Sequence, residues 1–310
     1  GVGQVLVRMR AASLNYRDLL VIGGRYGRLR PDLVPLSDGA GEVVETGAGV
    51  TRVASGDRVA AIFAQGWIGG EQDATARSTA LGGALDGVLS QYCVFSEHGL
   101  VKLPDHLDYL EGSTLPCAAV TAWNALYGLK PLRAGDTVLT LGTGGVSLFA
   151  TQLAQAAGAR VIVTTSSDIK VGSARAAGAT EIINYRANPE WNEEVIQLTG
   201  GRGVDNVIEV GGAGTLARSV ASTRIGGVVN MIGLLSDGPD FNAMSILQRS
   251  AILRGIIVGS RDMFEEMNRA ISVHRLKPII DSVFAFEDAV DAFRRLQDAA
   301  HIGKIVIRIG

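Results

Sequence analysis

Residues 138–150, VLTLGTGGVSLFA, join an apolar run to a glycine cluster and then to a segment of helical apolar spacing. This order suits the handling of a diphosphate. Gly142 permits a tight turn, and Gly144 carries no side chain to obstruct a phosphate. The N–H groups and dipole at the start of the following helix attract negative charge. Gly142, Thr143, Gly144, Gly145 and Val146 therefore form a candidate cradle for the pyrophosphate of a dinucleotide, which implies redox work. The third glycine position of such loops, where helix and strand pack closely, is Ser147 here.

About 20 residues past a loop of this kind, the end of the second strand meets the adenosine ribose. That place reads Thr165, Ser166, Ser167, then Asp168 and Lys170. A carboxylate at the strand end selects NAD by binding both ribose hydroxyls and repelling a 2′-phosphate. At 4 Å and an effective dielectric of 20, each unit-charge pair is worth about 4 kcal/mol before screening. With Thr165 at the strand end, hydroxyls at Ser166 and Ser167, and charge at Lys170, the expected cofactor is NADP rather than NAD. Tyr185 and Arg186, past the third strand, could cover the other side of the phosphate. Asp168 falls beyond the ribose-contacting position.

Strands and helices must position these groups. Apolar runs at Val138–Leu141, Arg160–Thr165, Glu181–Asn184, Val204–Val210, Gly227–Ile232 and Ile252–Val258 alternate with helical segments. They read as six parallel strands of a doubly wound sheet. The first helix carries Val146, Phe149, Leu153 and Ala157 on one face and stops at Gly158. Residues before about 118 are β-rich, with strands at Val5–Ala11, Gly41–Thr46, Arg58–Phe63 and Gln91–Phe95. The stretch 67–87 reads as a long surface loop. Helices follow at Met263–His274 and Phe286–Ala300, and an alternating strand at Lys304–Ile309 returns to the first domain. The fold class is α/β.

The 310 residues suggest two domains. An apolar fraction of 47% fits a large core, and a net charge of −2 lacks the basic footprint of a nucleic-acid binder. No apolar run is long enough to span a membrane. Two cysteines, Cys93 and Cys117, make no disulfide framework, so a reducing, cytoplasmic setting is expected. The chain opens without a methionine and runs directly into a strand pattern.

The whole chain resembles the medium-chain dehydrogenase/reductase superfamily. The matching stretches are NYRD at 15–18, PLSDGAGEVVE at 35–45, GDRV at 56–59, LPCAAVTAW at 115–123, the loop at 142–147 and GRGVD at 201–205. The resemblance implies a GroES-like catalytic domain, 1–117 with 259–310, around a six-stranded Rossmann domain, 118–258. It also implies a homodimer joined edge to edge through the last Rossmann strands, and further strands ahead of Gly1.

The zinc-dependent branch of that superfamily holds its metal with Cys, His and Cys, and sets a Glu beside the His. The matching positions here are Asn15, Asp38 and Cys117, with Gly39 for the Glu. An amide is a poor zinc donor, and a catalytic zinc needs three good ones. The cysteines of the structural zinc lobe have no counterpart in 63–91. No zinc is expected, and Cys117 reads as a small buried residue. The pattern looks like the zinc-free quinone oxidoreductase and enoyl reductase branch, which moves hydride from NADPH to a quinone, enone or related carbonyl acceptor. Without a metal, catalysis rests on placement, which can supply about 7–11 kcal/mol.

Residue roles follow from the resemblance. Thr121 matches the threonine that contacts nicotinamide, and Tyr16 lies where relatives meet the pyrophosphate. Asn15 would hydrogen-bond either the acceptor oxygen or the carboxamide. Tyr26 would donate a proton or simply a hydrogen bond to the acceptor. Arg17 replaces the proton-relay hydroxyl of zinc alcohol dehydrogenases. Asp38 is either an enclosed carboxylate of raised pKa or a partner of Arg17. Gly211, Gly212, Ile232, Gly233 and Leu234 end the fourth and fifth strands beside the cofactor, and Val258 and Gly259 line its nicotinamide end. The alternatives are an alcohol dehydrogenase acting on alcohols and aldehydes, and a catalytically dead NADP-binding protein.

Overall fold

The structure is a computed structural model that describes residues 1–27, 30–233, 235, 236, 238 and 241–310. These residues form two compact units: Gly1–Val120 with Val258–Gly310, and Thr121–Ile257.

The first unit contributes strands β1 (Gln4–Ser13), β2 (Asp38–Thr46), β3 (Arg58–Ala61), β4 (Tyr92–Ser96) and β5 (Leu100–Lys102). The second contributes β6 (Thr137–Leu141), β7 (Arg160–Thr165), β8 (Glu181–Asn184), β9 (Val204–Glu209), β10 (Thr223–Met231) and β11 (Ile252–Gly255). The chain then returns to the first unit with β12 (Ile280–Ala285) and β13 (Lys304–Arg308).

The GroES-like sheet runs β12-β13-β1-β2-β3-β5, with β4 also against β1. In β1, Val5, Val7 and Met9 turn inward while Gln4 and Arg8 face solvent, the alternation of a strand with one wet face. Leu36, Val59, Leu100, Leu296, Ile305 and Ile307 complete this core. Ser13 pairs with Val306 of β13 on one side and with Asp38 of β2 on the other. This register brings the end of β1 and the starts of β2 and β13 to one place, where the polar cluster described below forms.

The stretch 67–87, expected as a surface loop, holds a short helix at Ala74–Arg77 and buried Trp67, Ala76, Ala80 and Leu81. Its glycines permit this depth. A Cβ on Gly87 would lie 2.1 Å from the Leu36 carbonyl oxygen, and one on Gly82 would lie 2.7 Å from it.

The Rossmann sheet is wholly parallel, in the order β11-β10-β9-β6-β7-β8. Every residue of β6 and β9 is buried, as a parallel sheet covered on both faces requires. The strand order reverses between β6 and β9, the switch point at which such sheets bind nucleotides. The helix Gly145–Ala156 follows β6. Phe149 and Leu153 are buried on it as expected, but Val146 is only partly so, and Leu148, Ala150 and Ala154 widen the buried face.

Cys93 and Cys117 are both free thiols. Among the described residues, no helix is long and apolar enough to cross a membrane.

Candidate active site

The glycine loop after β6 is built to receive an anion. Gly142 has φ 74°, a left-handed conformation that suits glycine. A Cβ on Gly142 or on Gly144 would meet nothing within 4 Å, so both open onto free space. Gly144 is extended at the N-cap of the helix Gly145–Ala156, and the first N–H groups of a helix have no partner within it. The cradle fits a pyrophosphate. Thr143 is buried beside it, and Gly145 and Val146 are partly exposed on the first turn. At the third glycine position the Ser147 hydroxyl donates to the Leu141 carbonyl at 2.6 Å. A small side chain whose polar end is satisfied by the strand lets the helix pack closely without glycine.

At the end of β7, Thr165 is buried and Ser166, Ser167 and Lys170 are partly exposed. The Ser167 hydroxyl oxygen accepts from the Ile169 N–H at 3.3 Å, closing a turn. Asp168 is drawn aside, since its carboxylate accepts from Asn184 Nδ2 at 2.8 Å. Tyr185 is brought alongside through its N–H to the Thr165 carbonyl, 3.0 Å. The strand end thus carries the hydroxyls of Thr165, Ser166 and Ser167, with no carboxylate at positions 165–167.

Sequence reasoning missed Glu209, the last residue of β9. It is fully buried, and its carboxylate accepts from Gly211 N at 2.7 Å, Gly212 N at 3.0 Å, Thr215 Oγ1 at 2.7 Å and the Ser219 hydroxyl. The N–H groups of Gly211 and Gly212, assigned above to the cofactor, are therefore spent on this carboxylate, which fixes their turn. A lone Glu at a strand end carries no spacing signal. Ile232 donates its N–H to the Glu209 carbonyl at 2.8 Å, and a Cβ on Gly233 would lie 2.0 Å from the Val210 carbonyl oxygen. Leu234 lies outside the described residues. Thr121 is buried at the start of the helix Val120–Tyr127. In the other unit, Val258 has φ 55°, costly for a β-branched residue. A Cβ on Gly259 would press against Val120 at 2.6 Å.

The GroES-like unit holds a compact polar cluster. Asn15 sits at the N-cap of the helix Tyr16–Ile22, and its N–H donates to Asp18 Oδ2 at 2.7 Å. Asp38 is fully buried. Its Oδ1 accepts from the Ser37 hydroxyl at 2.8 Å, and its Oδ2 accepts from the Cys117 N–H at 3.1 Å. Cys117 lies in a π-helical turn, Leu115–Ala119, a form common at functional sites. Two residues before Asp38, Leu36 is buried at φ 67°, a strained approach that fixes where β2 begins.

The cation of this cluster was not foreseen. Lys304, the first residue of β13, is buried and donates to the Leu14 carbonyl at 2.6 Å and to Asn15 Oδ1 at 2.5 Å. Its Nζ lies 3.9 Å from Asp38 Oδ2. Of the two settings expected for Asp38, the enclosed carboxylate is the one observed, since Arg17 lies 3.8 Å from Asp18 and donates to the carbonyls of Leu81 and Gly82. Burial raises the pKa of Asp38, opposed chiefly by Lys304. Burial raises Asp18 to about 6, with the Arg17 charge pulling the other way. Burial and the Asp38 charge push the Cys117 thiol up. Tyr16 and Tyr26 stand at the margin, each more than a third exposed.

Asn15, Asp38 and Cys117 are the positions where the zinc branch of the resembled superfamily holds its metal, and their surroundings fit zinc poorly. The amide oxygen of Asn15 is occupied by an ammonium, and that same positive charge faces Asp38. Among the described residues, no group of three or more His, Cys, Asp or Glu is placed to bind a metal ion.

Comparison with known proteins agrees with this architecture. Residues 1–105 match the alcohol dehydrogenase GroES-like domain family, and residues 145–272 match the zinc-binding dehydrogenase family. A zinc-type alcohol dehydrogenase-like protein of Schizosaccharomyces pombe is 45% identical over 99% of this chain and 91% of its own length. The crystal structure of a putative alcohol dehydrogenase from Sinorhizobium meliloti 1021 superposes with a TM-score of 0.93 at 42% identity, covering 99% of this chain and 91% of that one. A crotonyl-CoA carboxylase/reductase in complex with NADP superposes with a TM-score of 0.86 at 25% identity, covering 100% of this chain and 87% of that one. The chain belongs to the medium-chain dehydrogenase/reductase superfamily, in its zinc-type alcohol dehydrogenase-like division. With the open phosphate cradle at the sheet's switch point, it is an NAD(P)-dependent oxidoreductase of the alcohol dehydrogenase family.

Proposed function

We propose that this protein is a metal-independent, NADPH-dependent reductase that transfers hydride to a conjugated carbonyl acceptor such as a quinone, an enone or an enoyl thioester. One observation carries the reading: the Lys304 ammonium is bonded to Asn15 and faces Asp38, where a zinc enzyme would keep its metal. A fixed cation there opposes a second one. Preference for NADPH is supported by the hydroxyls of Ser166 and Ser167 and the charge of Lys170 at the end of β7, and by the engagement of Asp168 with Asn184. The enoyl thioester class is supported by the structural likeness to a crotonyl-CoA carboxylase/reductase that binds NADP.

A bound reduced nicotinamide supplies the hydride. The chain's own groups do the rest. The cradle at Gly142–Val146 and the buried Thr121 orient the cofactor. Asn15 donates a hydrogen bond to the acceptor oxygen, which gains negative charge as hydride arrives. Tyr26 supplies the proton that completes the reduction or hydrogen-bonds the oxygen.

The outer edge of the Rossmann sheet supports a homodimer. β11 is an edge strand with Ile252 exposed on it, and Ile225 and Leu247 are exposed nearby in the same unit. Unpaired strand edges favour pairing with another chain. Light scattering would show a dimer mass.

The decisive assay follows NADPH absorbance with quinones, enones, enals, enoyl thioesters and aldehydes, each with and without a chelator. Turnover of conjugated acceptors that survives chelation is expected. The name of the S. pombe relative favours a second reading, a zinc alcohol dehydrogenase. Aldehyde turnover abolished by chelation, with one zinc per chain in the purified protein, would establish that reading instead. Tight NADPH binding without turnover would mark a dead cofactor-binding protein.

A further inference from the structure

Asn15 poses a question of orientation. Its carboxamide has one accepting and one donating end, and only the end facing the acceptor matters for catalysis. Lys304 decides which end that is. An ammonium only donates, so the atom 2.5 Å from Nζ must be the amide oxygen. The donor end, Nδ2, is then turned away from Lys304. It is buried without a hydrogen bond of good geometry, and as the amide's only donor it is the end that favours the charged form of the nearby Asp38 carboxylate, which leaves its second N–H for a ligand. A buried N–H left without a partner costs stability and is retained where a ligand completes it.

Lys304 is itself held rigidly. It is 3% exposed, its backbone N–H donates to the Ile279 carbonyl, and its Nζ has the Leu14 carbonyl as a second anchor. It opens β13, and Gly303 before it has φ 77° and no room for a Cβ, which would lie 2.1 Å from the Ile279 carbonyl oxygen. The turn into β13 therefore sets where the ammonium stands.

We propose that Lys304 is a positioning residue for the reduction: bonded to Asn15 Oδ1 and facing Asp38, it locks the Asn15 amide with Nδ2 presented to the acceptor's carbonyl oxygen. In the step it serves, hydride leaves the reduced nicotinamide, which becomes oxidised, and forms a C–H bond at the β carbon of the acceptor. The displaced π pair moves to the carbonyl oxygen, giving an enolate that Asn15 Nδ2 stabilises. A proton from Tyr26 or water then completes the α carbon. This inference rests on the reading that the acceptor oxygen meets Asn15.

The test is steady-state kinetics on the purified full chain with NADPH and the best acceptor of the panel above. The variants are Lys304→Met, Asn15→Ala, their combination, and Lys304→Met with Asp38→Asn. Lys304→Met is expected to lower kcat about tenfold to a hundredfold, the usual weight of a group that orients a reactive one, with the NADPH Kd within about twofold. In the Asn15→Ala background the same change is expected to add almost nothing, because the amide it orients is gone. The variant lacking both charges leaves no buried carboxylate unpaired, so it keeps the test open if Lys304→Met alone fails to fold. Its kcat is expected to stay low.

Recovery of kcat in that charge-free variant would show that Lys304 merely neutralises Asp38, and would overturn the proposal. So would losses that multiply in the Lys304→Met, Asn15→Ala combination, or a folded Lys304→Met enzyme with parental kcat. A parent active only on aldehydes would reject the conjugated-acceptor reading while leaving this test intact, since an aldehyde oxygen gains the same charge. A parent that reduces no acceptor at all would overturn both.

Discussion

The Arg17 guanidinium lies 4.8 Å from the centroid of the Tyr26 ring and 4.8 Å from that of Phe63. Its Nη1 and Nη2 also donate to the Leu81 and Gly82 carbonyls, at 2.8 and 3.1 Å. Tyr26 is thus steadied through its ring face. Tyr26→Phe keeps the ring and is expected to leave urea unfolding unchanged, while turnover falls about a hundredfold if the phenol gives the proton. Arg17→Lys loses the planar fork and strands two carbonyls. It is expected to cost about 1–3 kcal/mol of stability. Full activity in Tyr26→Phe would assign the proton to water.

Asp18 makes stability depend on pH. Its pKa is raised by burial from 3.8 to about 6. A carboxyl with a raised folded-state pKa contributes stability that is fully present below the unfolded value and is lost as pH rises through the folded one. Between about pH 4 and 6 the fold should weaken, by on the order of 3 kcal/mol from this group. Asp38, also raised, acts in the same direction. Asp18→Asn keeps an acceptor for the Asn15 N–H and removes the titration. Its denaturation free energy should change less over this window than the parent's. Parallel profiles for the two proteins would show that Asp18 is not the titrating group.

Legibility in the sequence tracked locality. Strand β7 begins and ends where its run does, because all but its first residue are buried, while β8, an edge strand with only Ile183 buried, was bounded by the polar residues that flank its two isoleucines. β12 went unread because its residues are only half buried and follow no alternation, and β5 because it has three residues. The glycine loop is a local motif and was readable. Lys304 was not, since it meets Asn15 across 289 positions. A lysine opening an apolar strand was the available hint, and only the pairing of β13 with β1 gives it meaning.

The end of β7 should govern cofactor choice. Ser166→Asp introduces a carboxylate beside the expected 2′-phosphate, and repulsion of about 4 kcal/mol before screening opposes it. Fluorescence titration is expected to show the NADPH Kd rising at least about tenfold, with NADH little affected. A parent protein that binds NADH more tightly than NADPH would reject this assignment outright.

Glu209 tests whether one buried carboxylate holds the turn after β9. Four donors converge on it: the N–H groups of Gly211 and Gly212 and the hydroxyls of Thr215 and Ser219. Gly212 itself has φ 90°, so the turn costs backbone energy that these bonds must offset. Glu209→Ala would leave all four donors unpaired, and for the two that are buried, Gly212 N–H and the Ser219 hydroxyl, water cannot replace it, so each loses about 1–3 kcal/mol. A total loss on the order of 3–5 kcal/mol is expected, with weaker NADPH binding as the turn loosens. Glu209→Gln retains the oxygen that serves three of the donors, and the Ser219 hydroxyl can rotate to accept from the new amide. That variant should lose no more than about 1.5 kcal/mol. Urea unfolding of the two variants separates the cases, because equal losses in Ala and Gln would mean that charge, not the pattern of acceptors, holds this turn.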